Sequence, residues 1–472
     1  MTSLKFGTSG LRGLVTELAG LPTYAHVRAF CAMLREDQAA GPRNEVLIGR
    51  DLRSSSPLIA AQCAQAVADA GLRPVDCGAV PTPALAQAAM AAGSPAIMVT
   101  GSHIPDDRNG LKFYRAQGEI DKADEARILA QHAALGLTAA PEASATAQSR
   151  DVVASYHARY VDFFGRALEG LTIGVYQHSS VGRDIIYDVL TALGAMPVVL
   201  GRSEVFIPVD TEALRPQDEE LAHRWAGERK LDAIVSTDGD ADRPLVADET
   251  GRFLRGDMVG ALTARFLGAD AIVTPVTSNS ALDRPGSFEK LIRTRVGSPY
   301  VIAGMAQAKA EGAAIVIGFE ANGGVLLGSD VTRDGRRLQA LPTRDALLPI
   351  LATIALAHGS GKPLSVVAAD ARFAVALSNR LQEVPQDRTA ALIARLDHED
   401  PGFRDTAFAR HGGVAARDRR DGLRLTLGNG ATVHFRASGN APELRVYVEA
   451  TTPEEAEALL AENLAFAAAQ TR

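Results

Sequence analysis

Cysteine is scarce in this chain: Cys31, Cys63 and Cys77 are the only three among 472 residues. The count is odd and contains no CxxC pair, which argues against a disulfide framework or a structural zinc site. Positive charge is not in excess either. The 49 Lys and Arg stand against 56 Asp and Glu, a net charge of −7, so there is no general basic field for nucleic acid and only a local basic pocket is open to it. Long apolar runs are missing as well. The strongest, at 347–357, contains Pro349 and falls far short of the roughly 18 residues that span a bilayer; it predicts a buried helix. The opening MTSLKFGTSGLRG lacks the apolar core of a secretory signal. The expectation is a cytoplasmic protein with no membrane and no nucleic-acid partner.

What is present is ordinary globular material, 46% apolar and 22% charged, which excludes a wholly disordered chain. At about 150 residues per domain the length suggests roughly three domains. Apolar strand-like runs alternate with amphipathic helical stretches over the first 370 or so residues. Glu45 to Asp51 (EVLIGRD) reads as a short strand ending in a polar turn. Ser56 then precedes Pro57, a good first helical (N1) residue, and the helical pattern stops at Gly71. This grammar predicts an α/β chain with mixed or parallel sheets. The small, polar stretch 138–150 reads as a linker. Further units run over about 152–255 and 256–367. The last hundred residues differ. They carry a hairpin at 422–436 around Gly428-Asn429-Gly430, a strand at 444–449, and a helix opened by the capping box Thr452-Pro453-Glu454-Glu455. That is the pattern of a small α+β domain.

Three times an apolar strand runs straight into a loop rich in chemistry: AIMV into TGSH, AIVS into TDGDADR, and IVI into GFEANGG. Ligands of open α/β sheets gather at the carboxyl ends of strands, so similar units aiming such loops at one cleft would explain the recurrence, although every α/β protein has polar loops after strands. Asp238, Asp240 and Asp242 are the most pointed of these residues. Two like charges 4 Å apart repel by about 4 kcal/mol at an effective dielectric near 20, and a hard cation such as Mg²⁺ or Ca²⁺ removes that penalty. An EF-hand is excluded, because its glycine position holds Arg243, followed by Pro244, and 231–235 reads as a strand where that motif needs a helix. Ser102, with His103 and Lys112 near it in sequence, is either a nucleophile or phosphoryl carrier or an ordinary turn residue. Glu320 and Asn322 have the donors and acceptors to grip neighbouring sugar hydroxyls. The loop from Arg436 through Ser438, Gly439 and Asn440 to Arg445 suits a phosphate dianion in a nest of N–H groups, and equally a solvated turn.

Taken in order, these segments resemble the α-D-phosphohexomutase superfamily, the bacterial phosphomannomutases and phosphoglucomutases. The resemblance begins at Gly7-Thr8-Ser9-Gly10-Leu11-Arg12-Gly13 and continues through Gly49-Arg50-Asp51-Leu52-Arg53-Ser54-Ser55 and Pro81-Thr82-Pro83. It takes in TGSHIP as a phosphoserine loop, DGDADR as a metal loop, GFEANGG as a sugar loop and RASGNAPELR as a phosphate loop. It implies three similar α/β domains with mixed sheets plus a smaller C-terminal α+β domain around a central cleft, divided here at 1–150, 151–255, 256–367 and 368–472.

The resemblance also implies roles. Ser102 would carry the phosphoryl group, with Mg²⁺ joining it to Asp238, Asp240 and Asp242. Arg12 and Arg243 would steady the group in transfer, and His103 and Lys112 would serve as general acid and base. Glu320 and Asn322 would hold sugar hydroxyls, while Arg436, Ser438, Gly439, Asn440 and Arg445 clamp the phosphate that is not reacting. The implied reaction interconverts hexose 6-phosphate and hexose 1-phosphate through a hexose 1,6-bisphosphate, which also primes the enzyme. A phosphomannomutase is the expectation, with a phosphoglucomutase or dual-specificity enzyme as the nearest alternative; a silent sugar-phosphate-binding protein and a metal-dependent phosphatase are the other readings. Four positions depart from the family pattern: Ile104 for the usual Asn, Asn322 for Ser, Gly324 for His, and Ser298 in the last place of the turn Arg295-Val296-Gly297-Ser298. Nothing in the sequence sets an oligomeric state.

Overall fold

The structure is a computed structural model that describes residues 3–7, 10–284, 286–399, 401–438 and 442–471, with the side chains of 398, 399 and 401 left aside. Its organising feature is one strand pattern built three times. Strands Arg73–Ala79, Glu45–Arg50, Ala96–Val99 and Arg108–Arg115 lie side by side in that order. So do Met196–Arg202, Thr172–His178, Ala233–Thr237 and Pro244–Ala247, and again Lys290–Thr294, Ala271–Pro275, Val316–Phe319 and Val325–Leu327. In each set the first three strands are parallel and the fourth returns antiparallel. The loops TGSHIP, DGDADR and EANGG are the reversals between third and fourth strands, at carboxyl ends. The expected mixed sheets are present, and the recurrence is topological where the sequence shows no close repeat. One boundary shifts: the third of these strands runs on through Gly318 and Phe319 before its loop begins.

The stretch read as a linker is not loose. Gln148–Ser149 adds a parallel strand beside Arg73–Ala79, Arg150 donates to both oxygens of buried Glu45 at 2.8 and 3.0 Å, and Gln65 accepts from the backbone N–H groups of Ser144 and Ala145 at 3.0 and 2.8 Å. The small residues carry no core of their own, so polar straps fix the segment. Helix Ser56–Asp69 also begins differently from expectation. Its cap is Ser55, because the Ser56 hydroxyl is taken by Asp51 at 2.5 Å.

The helix Leu347–Ser360 is buried nearly throughout and begins with Pro349 in its first turn, where the missing N–H is no loss. Among the described residues no single helix is long and apolar enough to cross a membrane. One apolar cluster runs from Leu47 and Val75 through Tyr156, Val175 and Val235 to Ile272, Ile317 and Leu351, joining the three repeated units. The C-terminal sheet, strands Val375–Leu381, Leu444–Ala450, Thr432–Ala437, Leu423–Leu427 and Val414–Asp418 in that order, is wholly antiparallel. It closes over a separate core that includes Leu425, Val433, Phe435, Val446 and Leu459. The expected hairpin and the Thr452–Glu455 capping box are both formed. Polar contacts seat this domain on the rest: Asn279 holds both backbone groups of Ala374, Glu449 accepts from Ser280, and Asp421 accepts from the N–H of Val296 at 2.9 Å.

Candidate active site

Ser102 follows Val99 by three residues and sits at the apex of its loop with φ +54°, a left-handed conformation that costs a non-glycine residue about 1–3 kcal/mol. Buried neighbours hold it there. Asp51, at the end of strand Glu45–Arg50, accepts from Thr100 Oγ1 at 2.8 Å and from the Gly101 N–H at 3.3 Å. Arg53, ion-paired to Asp51 at 3.1 Å, donates to the carbonyls of Ser102, Ile104, Pro105 and Arg108 at 2.5–3.1 Å. The serine loop is thus wound around one buried guanidinium.

The acidic loop meets it directly. A Cβ on Gly239 would fall 2.6 Å from the Ser102 carbonyl oxygen, so only glycine permits the approach. Ser102 Oγ donates to Asp238 Oδ2 at 2.5 Å and lies 3.2 Å from His103 Nδ1. Asp238, Asp240 and Asp242 are fully buried, and one oxygen from each lies within 4.8 Å of the others. Lys112 Nζ donates to Asp240 Oδ2 and Asp242 Oδ2, both at 2.6 Å, and Thr82 Oγ1 donates to the same Asp240 oxygen at 2.6 Å. Among the described residues, Asp240 Oδ1 and Asp242 Oδ1 are buried without a hydrogen-bond partner. Buried orphan acceptors are expensive, and hard carboxylate oxygens are the donor set of a divalent cation such as Mg²⁺. The residues present fit such an ion.

The charges explain the titration behaviour. Burial, then Asp240 and Asp242, push the Asp238 carboxyl well up. At Asp242 burial opposes the charge, but Arg344 and Lys112 outweigh it and hold the carboxyl below its usual range. Burial also opposes the Lys112 charge, and Asp240 and Asp242 overcome it. Arg12 is brought down to about 10 by burial and by Arg243 and Arg344, and His103 is pushed well below 6.5 by burial, Arg243 and Arg12. Arg243 lies 3.7 Å from Asp242 and 4.0 Å from Asp238.

Glu320 and Asn322 are buried at the end of strand Val316–Phe319. The Asn322 amide is partly engaged in its own turn: its Oδ1 accepts from the Gly324 N–H at 3.0 Å and its Nδ2 donates to Glu320 at 3.4 Å. In the C-terminal domain Arg436 pairs with Asp421 at 3.0 Å, the Ser438 N–H donates to the Glu443 carbonyl at 2.9 Å, and Arg445 lies 3.7 Å from Glu443. Gly439 and Asn440, like Thr8 and Ser9, lie outside the described residues. A cavity of about 380 Å³ joins these parts, lined by His103, Asp210, Arg255, Thr277, Asn379 and Arg445 among others. A larger one, about 730 Å³, lies where the third unit meets the C-terminal domain. Among the described residues it is lined by Arg284, Arg372 and His411 and by none from the four chemical loops.

The chain matches phosphoglucomutase/phosphomannomutase α/β/α domain I over residues 3–138, domain III over 255–373 and the C-terminal domain over 382–466. A phosphomannomutase of Sinorhizobium fredii is 50% identical over 98% of both chains. The chain belongs to the phosphoglucomutase/phosphomannomutase family. A phosphomannomutase of Salmonella muenchen is 43% identical over 96% of this chain and 94% of its own. The crystal structure of a phosphoglucomutase/phosphomannomutase family protein from Burkholderia thailandensis superposes with a TM-score of 0.76 at 21% identity, covering 98% of this chain and 96% of that one.

As a phosphoglucomutase/phosphomannomutase family member the chain shows site residues that reading its sequence missed. Arg344 bridges Asp242 at 2.8 Å and Glu320 at 3.2 Å. It stands in no motif, and only the pairing of its strand beside Val325–Leu327 brings it in. Thr82 and Arg53 fell inside recognised motifs, which was the available signal, but Asp240, the partner of Thr82, and the loop carbonyls that Arg53 binds are far off in sequence. Ser298, one of the departures, donates to Glu119 Oε2 at 2.9 Å and so ties the third unit to the first.

Proposed function

We propose that this phosphohexomutase is a phosphomannomutase, an intramolecular phosphotransferase interconverting mannose 6-phosphate and mannose 1-phosphate. The observation that carries the reading is Ser102 Oγ at 2.5 Å from an aspartate whose two neighbours each keep a buried oxygen with no hydrogen bond among the described residues. That arrangement suits a phosphorylated serine beside a divalent cation. Mannose is chosen because the relatives at 50% and 43% identity are phosphomannomutases. The division 1–150, 151–255, 256–367 and 368–472 belongs to the same reading, supported by four main sheets, one falling in each segment.

Phosphomonoesters hydrolyse very slowly in water, so the enzyme's task is positioning and charge stabilisation. A free hydroxyl of the bound hexose phosphate attacks the phosphorus of phospho-Ser102. The Oγ–P bond breaks as the sugar O–P bond forms, and the hydroxyl proton leaves to a base. The resulting hexose 1,6-bisphosphate turns within the cleft, and its other phosphoryl group returns to Ser102. Asp238, Asp240, Asp242 and the serine oxygen would hold Mg²⁺, which would supply Lewis-acid stabilisation of phosphoryl charge. Arg12 and Arg243 face the same place with fixed positive charge. His103 and Lys112 take the proton-transfer roles; His103 Nδ1 already lies 3.2 Å from Ser102 Oγ. Glu320 and Asn322 hold sugar hydroxyls, and Arg436, Ser438, Gly439, Asn440 and Arg445 hold the distal phosphate, which must be accepted from either end of the sugar.

Catalytic amounts of hexose 1,6-bisphosphate prime the serine. A cytoplasmic location is consistent with three buried cysteines that remain unpaired. The test is direct: kcat/KM is compared for mannose 1-phosphate and glucose 1-phosphate, with peptide mapping of the phosphorylated residue. A higher value for mannose 1-phosphate and phosphate on Ser102 are expected. Release of inorganic phosphate without isomerisation supports a phosphatase instead, and a dominant glucose activity moves the assignment to phosphoglucomutase.

A further inference from the structure

Arg344 lies on strand Leu341–Asp345 and is 4% exposed. Its Nε and Nη2 both donate to one oxygen of Asp242, Oδ2, at 3.2 and 2.8 Å, while Nη1 donates to Glu320 Oε2 at 3.2 Å. One planar guanidinium therefore joins the acidic loop to the Glu320 loop and leaves Asp242 Oδ1 for other use. The place is shaped for it. A Cβ on Gly324 would come 2.9 Å from Arg344 Cδ and 3.0 Å from Cγ, so glycine at 324 admits the arginine stem. The next residue, Asp345, is buried and accepts from Tyr156 at 2.6 Å and from Tyr160, which pins the backbone that Arg344 projects from.

We propose that Arg344 is a positioning residue for sugar recognition: it holds the Glu320 carboxylate at the angle that accepts hexose hydroxyls and uses Asp242 as its second anchor. This rests on the reading of Glu320 as a sugar ligand. Asp242 keeps a second anchor without Arg344, because Lys112 grips the same oxygen at 2.6 Å. Among the described residues the other side-chain hydrogen bond to Glu320 is a long one, 3.4 Å from Asn322. Loss of the guanidinium therefore falls mainly on Glu320. At the acidic loop the effect has the opposite sign, since a positive charge beside Asp242 opposes the arrival of another. A lysine supplies the charge but not the fork that reaches two carboxylates at once.

The test uses R344M, R344K and E320Q in the full chain. Readouts are steady-state kinetics, calorimetric binding of mannose 1-phosphate and glucose 1-phosphate, and Mn²⁺ affinity by electron paramagnetic resonance without sugar. In R344M, KM and the sugar-phosphate dissociation constant rise about tenfold or more with a smaller change in kcat, while Mn²⁺ binds several-fold more tightly. In R344K, Mn²⁺ affinity stays within about twofold of wild type but sugar-phosphate binding stays weak. The double variant E320Q/R344K binds sugar phosphate no more weakly than E320Q alone, within about twofold, because both changes act through one carboxylate. Wild-type sugar affinity in R344K, additive losses in the double variant, or parallel loss of sugar and Mn²⁺ affinity in R344M overturns the proposal. Thermal unfolding reports whether each variant folds, and R344K with the double variant decides the matter if R344M does not. A wild type inactive on both sugars overturns the functional reading, whereas calorimetry still decides Arg344.

Discussion

Ser102 and Asp238, 136 residues apart in the chain, share a 2.5 Å hydrogen bond between two buried side chains. Each stands in the reversal after the third parallel strand of its own sheet, so the bond is also the contact of two repeated units. Ser102 and Ala241 both adopt positive φ, +54° and +58°, and the serine and acidic loops are therefore shaped by their surroundings against local preference.

Replacing Ser102 by Ala removes the hydroxyl proposed to accept phosphate. Mutase activity is expected to fall by roughly three orders of magnitude or more, with the circular dichroism spectrum unchanged and no phosphate incorporated from hexose 1,6-bisphosphate. Appreciable residual isomerisation would contradict the phosphoserine role.

Asp240→Asn retains the side chain's size and removes one negative charge from the proposed cation site. The Mg²⁺ concentration giving half-maximal activity is expected to rise at least about tenfold, and kcat to drop with it. A titration that superimposes on wild type would show that the three aspartates do not hold the metal.

Cation binding is also expected to stabilise the fold, because three buried carboxylates face one another and two of their oxygens take no hydrogen bond among the described residues. At a free concentration 100 times the dissociation constant the gain is about 2.7 kcal/mol. Thermal unfolding with and without Mg²⁺ measures it. The midpoint rises in wild type and the rise shrinks in Asp240→Asn; equal midpoints in wild type argue against the site.

Arg150→Ala cuts the strap on residues 138–150. Arg150 donates two hydrogen bonds to Glu45 and, against the opposing effect of burial, holds that carboxyl below its usual range. A depressed carboxyl contributes stability that is complete above its unfolded value, about 4.3, and is lost as pH falls through the lower folded value. The variant is expected to lose about 1.5–3 kcal/mol near neutral pH, and its stability to fall less steeply below pH 4. Urea unfolding at pH 7 and pH 3.5 checks both, and a constant difference between the two proteins at the two pH values would sink the explanation.

Within each loop the sequence was a good guide. The spacing of Asp238, Asp240 and Asp242, the hairpin at Gly428-Asn429-Gly430 and the Thr452–Glu455 box involve near neighbours, whose separation the covalent chain itself limits. The same local view misplaced the helix cap by one residue, because Asp51 competes for the Ser56 hydroxyl. It also took 138–150 for a plain linker, because its anchors Glu45 and Gln65 lie some eighty or a hundred residues upstream.

The sequence by itself determined the strand-and-loop units, the chemical character of each loop and the family. Only the tertiary structure decided which oxygen of Asp240 and of Asp242 takes a hydrogen bond and which does not among the described residues, that Arg53 winds the serine loop, and that Arg344 reaches Glu320 through the room left at Gly324. The physical reason is that these contacts join loops far apart in the chain, and burial there makes charged side chains take partners that local spacing does not record.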